Sequence, residues 1–277
     1  MSLPHSFLSG KGGGALTPFA DLIGFGATEV SSNVFRLTVA GSYNIDLRGL
    51  PVSVHVIGAG GTSGFDGMGY GNCGGGGGGG GAVASFSGIN GVNFQVGQGH
   101  PPYQYANDLD GSQDHSWMLT NYPVTATQDS WFLTSTTLAG RGGQNGTYGN
   151  SPVEDAGGGS WDANTSGGTG SNGGNGGGAG WNGTSNDTRI QPQSSTYGGG
   201  GGGQGNHLNG GYGGGGAFGG IGGRGGVPNG VTDIAWNREN SIGTLGGGNG
   251  GQAKHLTSNT AFTTIGSSNG VIQFDFN

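Results

Sequence analysis

Between Gly210 and Val227 the chain reads GGY GGG GAF GGI GGR GGV, six consecutive triplets of which five open on two glycines. A strand repeats every two residues and an α-helix about every 3.6, whereas a polyproline-II-type helix turns once in three. In such a helix two of every three positions here carry no Cβ. Backbones can then approach on two sides while Tyr212, Phe218, Ile221, Arg224 and Val227 project from the third. Collagen uses one glycine per turn and abundant proline. With two per turn and 9 Pro in the whole chain, the sequence points instead to a sandwich of packed polyglycine-II helices.

A chain with 74 Gly in 277 residues otherwise reads as a flexible linker, because glycine loses the most backbone entropy on ordering. Here the triplet frame recurs from Gly142, Gly167 and Gly247, Trp and Tyr interrupt the tracts, and strand-like segments flank them. Those features favour order. Hydrophobic content of 30% and charged content of 8% leave a small conventional core, so backbone hydrogen bonds and close glycine contacts must supply much of the stability. A net charge of −7 with 8 Lys+Arg gives no basic footprint for nucleic acid. No apolar run is long enough to span a bilayer, so membrane insertion is not expected, and the N-terminus does not read as a secretory signal. The single cysteine, Cys73, excludes an internal disulfide framework and reads as a buried thiol.

Residues 1–32 mix short apolar patches with Gly, Ser and Pro and read as an attachment arm. Residues 33–277 read as one glycine-rich domain, mostly β and irregular with almost no α-helix. Its β-strands fall within 33–57, 82–96 and 262–276, around polyglycine-II tracts. Phe35, Leu37 and Val39 share one face; Ile45 and Leu47, then Val52, Val54 and Val56, continue the alternation. Asn90-Gly91 between two alternating runs predicts a hairpin, and Asn269-Gly270 separates two further runs. The segments 97–128, 148–166, 181–197 and 228–245 read as loops on a rigid scaffold.

Motifs for chemistry are weak. Val56-Ile57-Gly58-Ala59-Gly60-Gly61 places Gly-x-Gly after a strand, but no helix pattern or spaced acidic residue follows, so a dinucleotide site is not expected. Asp108, Asp110 and Asp114 resemble half of a calcium loop without its distal glutamate. His100, His115, His207 and His255 lack metal-ligand spacing, and no nucleophile constellation stands out. The expectation is a non-enzymatic protein with no cofactor and no metal. The candidate binding residues are aromatic: Tyr103, Tyr105, Trp117, Tyr122, Trp161 and Trp236 are read as lying outside the strands, with Asn, Ser and Gly around them, the composition of a paratope. They either cap the glycine layer or form a contact surface; as a set they favour contact.

The order Val52–Gly61, Gly74–Gly81 into Ala82–Phe86, Val92–Gly99, Asp129–Phe132 leading to Ala139–Gly143, and Asn269–Phe274 resembles the glycine-rich domain of bacteriophage tail-fibre tip adhesins, as in T-even-like phages. The resemblance covers about residues 34–277 and leaves the first 32 unmatched. It implies a polyglycine-II sandwich on the virion, whose loops bind a bacterial outer-membrane protein or surface glycan. It also implies other tail or fibre proteins as partners through the N-terminal region. A purely structural tail component and an ice-binding glycine-rich protein are the alternatives.

Overall fold

The structure, a computed structural model, describes residues 18–62, 76–101, 125–143, 196–199, 216–220, 244–247 and 267–276, with the backbone of 65–66, 104–105, 252–253 and 262–263. A short helix, α1 (Pro18–Gly24), opens the described chain. It is followed by β1 (Thr28–Ser31), β2 (Val34–Leu37), β3 (Gly41–Asp46), β4 (Val52–Ile57), β5 (Phe65–Asp66), β6 (Gly81–Phe86), β7 (Gly91–Val96), β8 (Gln104–Tyr105), β9 (Ser130–Phe132), β10 (Leu138–Gly140), β11 (Gln252–Ala253), β12 (Phe262–Thr263) and β13 (Val271–Asp275). The fold is mostly β in antiparallel sheets, as the alternation predicts.

Two sheets face each other. One has the order β1-β2-β13-β4-β6 and the other β10-β9-β7-β3. Alternation puts Phe35 and Leu37, Val54 and Val56, and Ile272 and Phe274 on the inner face of the first sheet. Ile45, Val92, Phe94, Val96 and Phe132 answer from the second. Phe94 and Phe132 meet Phe274 edge-on at centroid distances of 5.3 and 5.9 Å, so aromatic packing joins the sheets. Val39 departs from the sequence reading: β2 ends at Leu37, the chain bends, and Val39 is 48% exposed.

Neither Asn-Gly forms a hairpin. β6 pairs with β4 in one sheet while β7 pairs with β3 in the other, so residues 87–90 arch across the core between sheets. A second arch, 47–51, links β3 to β4 alongside it. The two arches bond to each other, Leu47 N–H donating to the Asn90 carbonyl at 3.1 Å and Gly49 N–H to that of Ile89 at 2.8 Å. At the other position β12 pairs with β8, whereas β13 pairs with β2 and β4.

The segment Pro18–Ser31, which the sequence assigns to the N-terminal arm, is built into this domain. Leu22 is fully buried, Phe19 stacks on Phe35, and β1 pairs with β2. The helix ends in a Schellman motif: Ala27 N–H donates to the Leu22 carbonyl and Gly26 N–H to that of Ile23, both at 2.9 Å. Gly26 takes φ +93°, a conformation that suits glycine. Residues 1–17 lie outside the described residues.

Beyond one end of the sandwich the strands run on into a glycine array. From Gly58 the N–H groups radiate in turn: Gly58 to Gly80, Ala59 to Gln128, Gly60 to Ser268, and Gly61 back to Gly77, at 2.8–3.0 Å. Returning to the same neighbour after three residues is the hydrogen-bond signature of a three-fold extended helix inside a bundle. The opposing segment behaves alike, with Gly79 N–H donating to Gly246 and Gly80 N–H to Arg141, each at 2.8 Å. The spacing leaves no room for side chains. A Cβ on Gly58, Gly60, Gly76, Gly79, Gly140, Gly143 or Gly199 would stand 2.0–2.2 Å from a backbone carbonyl oxygen.

The triplet run at Gly210 differs where it is described. Ala217–Gly219 form a 3-10 turn and Phe218 has φ +57°, so residues 216–220 do not form a three-residue helix. The reason is packing: Phe218 turns in over His55 and Arg36 on the outer face of the first sheet. The triplets from Gly167, and Cys73, lie outside the described residues.

Candidate functional site

The register fixes which end of the sandwich carries the array. Val271 stands opposite Ile57, Gly81 opposite Ile57, and Gly41 opposite Val96. The C-terminal ends of β4, β7 and β10 and the N-terminal ends of β6, β9 and β13 therefore lie together. From this end the chain runs on into 58–62, 76–80, 97–101, 125–129, 141–143 and 267–270. The long stretches between those segments all join the described structure there. Among the described residues the opposite end holds the arches 47–51 and 87–90, the turns 32–33 and 133–137, and Phe276 past the end of β13. Helix α1 begins with Phe19 against Phe276, past the end of β13, and finishes with Phe25 against Tyr43. Residues preceding Pro18 thus reach the domain at the arch end.

Tyr105 is the one predicted contact residue that falls on described backbone, and it departs from the sequence reading: within the segment 97–128 read as a loop, it stands in the short strand β8, paired with Phe262 of β12. Tyr103, Trp117, Tyr122, Trp161 and Trp236 lie outside the described residues, as do Asp108, Asp110 and Asp114. Gly58-Ala59-Gly60 leaves β4 into the glycine array, where its N–H groups are committed to neighbouring backbone. Among the described residues no group of three His, Cys, Asp or Glu is placed to hold a metal ion, and no helix is long and apolar enough to cross a membrane.

Two side-chain clusters tie the array to the sandwich, and sequence reading missed both. Asp129, 6% exposed, accepts from the Arg141 guanidinium and, at 2.9 Å, from the Gly142 N–H. This clamp holds the start of the 140–143 glycine segment against 125–129. Asp129 and Arg141 stand near the ends of β9 and β10, strands too short for alternation to reveal.

The second cluster lies on the outer face of the first sheet. Arg36 donates Nε and Nη2 to Gln273 Oε1 at 3.1 and 2.9 Å and lies 4.5 Å from the Phe218 ring centre. His55, one strand further, packs 4.5 Å from the same ring and bonds through Nε2 to the Tyr197 carbonyl at 2.6 Å. Because a carbonyl only accepts, Nε2 carries the proton. Burial holds His55 below the ordinary value of 6.5; the Tyr197 bond opposes that and the Arg36 charge reinforces it. Burial also lowers His100.

These histidines make stability depend on pH with a defined sign. Below the ordinary histidine value the unfolded chain binds protons that the folded chain resists, so stability falls with pH until the folded groups protonate. The unfolding midpoint should drop between about pH 7 and pH 5, and His55→Gln should flatten that dependence. Thermal melts across this range check it.

No protein-family model and no curated protein matches the chain.

Proposed function

We propose that the chain is a bacteriophage receptor-binding protein, a tail-fibre or tail-tip adhesin. It would recognise a bacterial outer-membrane protein or surface glycan by binding alone, without catalysis or a cofactor. The observation that carries this reading is the two-ended build. The long segments with most of the Tyr and Trp join at the array end, and residues before Pro18 arrive at the arch end, where other tail or fibre proteins would hold the molecule.

The array suits such a role physically. The N–H groups of 58–61, 79 and 80 go to neighbouring backbone, and a Cβ at Gly58, Gly60 or Gly79 would fall on a carbonyl oxygen, so these segments are held in register. A rigid frame lets the connecting segments vary in sequence at little cost to the fold. It also lowers the ordering cost of binding wherever it pre-positions a contact residue. Tyr and Trp supply contact area at low conformational cost, and Asn, Ser and Gly supply adaptable hydrogen bonds.

Alanine at any two of Tyr103, Tyr105, Trp117, Tyr122, Trp161 and Trp236 should weaken host-cell binding by about ten-fold or more while moving Tm by no more than about 2 °C. Cell-binding titrations and melts of the same preparations check this. Unchanged binding across the pairs would remove these residues from the contact.

A further inference from the structure

Two Asn-Gly pairs fall among the described residues, and the fold treats them oppositely. Asn90 and Gly91 are exposed at the arch end, and a Cβ on Gly91 would meet nothing within 4 Å. The Leu47 N–H binds the Asn90 carbonyl. Successive residues of an antiparallel strand address opposite neighbours, so that bond turns the Gly91 N–H away from β3. On its other side β9 reaches only Phe94 and Gln95 in register, and the Leu133 N–H that follows it binds Asn93. Among the described residues nothing holds the Gly91 nitrogen or the Asn90 carboxamide.

Asn269 is locked by contrast. Its Oδ1 accepts from the Gly99 N–H at 3.0 Å and its Nδ2 donates to the Thr38 carbonyl at 3.2 Å. The Gly270 N–H is spent on the Gly97 carbonyl at 2.8 Å. A Cβ on Gly270 would lie 2.2 Å from Ser130 Oγ, so this backbone has no room to turn.

We infer that Asn90 is a site of spontaneous deamidation and that Asn269, in the same dipeptide, is protected by the fold. The Gly91 nitrogen, giving up its proton, bonds to Cγ of Asn90; the bond from Cγ to the side-chain nitrogen breaks and ammonia leaves. The resulting five-membered imide is opened by water at either carbonyl, giving aspartate or isoaspartate at position 90. A following glycine makes this feasible because no Cβ obstructs the approach.

The product would disturb the arches. Asn90 stands across from Leu47, whose N–H binds its carbonyl, so the conversion falls on a bond that joins the two arches. Isoaspartate would also lengthen the backbone where Leu47 and Gly49 bind the carbonyls of Asn90 and Ile89.

The test is to age the folded full-length protein at mildly alkaline pH and digest it with chymotrypsin. Phe86 and Phe94 bound one short peptide, and Phe262 and Phe274 bound the other. Asn90 should gain the deamidation mass at least about ten-fold faster than Asn269, with the ratio falling toward about one in denaturant, where local protection is lost. Gly91→Ala should suppress conversion at 90 while leaving Tm nearly unchanged. No conversion at Asn90, or conversion at Asn269 as fast in the folded protein, would overturn the inference.

Discussion

Gly79→Ala is expected to destabilise the protein by about 3 kcal/mol or more, the upper range for overpacking, and to lower Tm by roughly 6–12 °C. The new methyl would stand 2.0 Å from the Gly58 carbonyl oxygen and 2.4 Å from its carbon. Those atoms belong to backbone, not to a side chain that can swing aside. Relief requires the two segments to part by about 1 Å or more, which would stretch the Gly58–Gly80, Gly61–Gly77 and Gly79–Gly246 bonds together. Gly91→Ala is the matched control, since open space surrounds that position and its φ lies outside the left-handed region. It should change stability by no more than about 0.5 kcal/mol, or raise it slightly by restricting the unfolded chain. Thermal or denaturant melts of both variants check the pair; equal effects would contradict a close-packed array.

Phe94→Ala should cost about 3–5 kcal/mol, the range for emptying an aromatic site in a closed core. Phe94 is fully buried, stacked on Tyr43 at 5.2 Å and edge-on to Phe274 at 5.3 Å. It lies between helix, edge strand and opposite sheet, with Phe25 at 6.3 Å, so no single neighbour can move to fill the void. Phe94→Leu retains most of the buried surface and should cost less than half as much. The contrast with Gly79 is chemical: one site fails by losing apolar contact, the other by gaining a single carbon. Denaturant titration separates them from wild type, and the midpoint shift reads the cost directly.

The strands were legible where alternation was long enough to see. Val52–Ile57, Gly91–Val96 and Val271–Asp275 emerge within the ranges their apolar spacing predicts. Pairing was not legible. An arch and a hairpin present the same inward-facing alternation on both arms, so Asn90-Gly91 looks identical whether the arms share a sheet or face each other across the core. β9 and β10 span three residues each, below the length at which a period can be read. Helix α1 carried signals that could have been used, Pro18 at its first position and Gly26 past its end. It is also too short for a convincing helical stripe. Phe218 illustrates a different limit. Its triplet frame is regular, but His55 and Arg36 lie far away in sequence and recruit the ring, so residues 216–220 take a 3-10 turn instead of the three-residue helix the frame predicts. Of the candidate contact residues, the structure gives only the backbone place of Tyr105.

Binding of fluorescently labelled, folded protein to a panel of bacteria, with and without protease treatment of the cells, tests the adhesin reading most directly. The account predicts saturable binding confined to a narrow set of strains. Loss of binding after protease treatment would identify a protein receptor, and persistence a surface glycan. Absence of binding to every strain, from protein that assembles with other tail components, would contradict it and assign the chain a structural place in the virion.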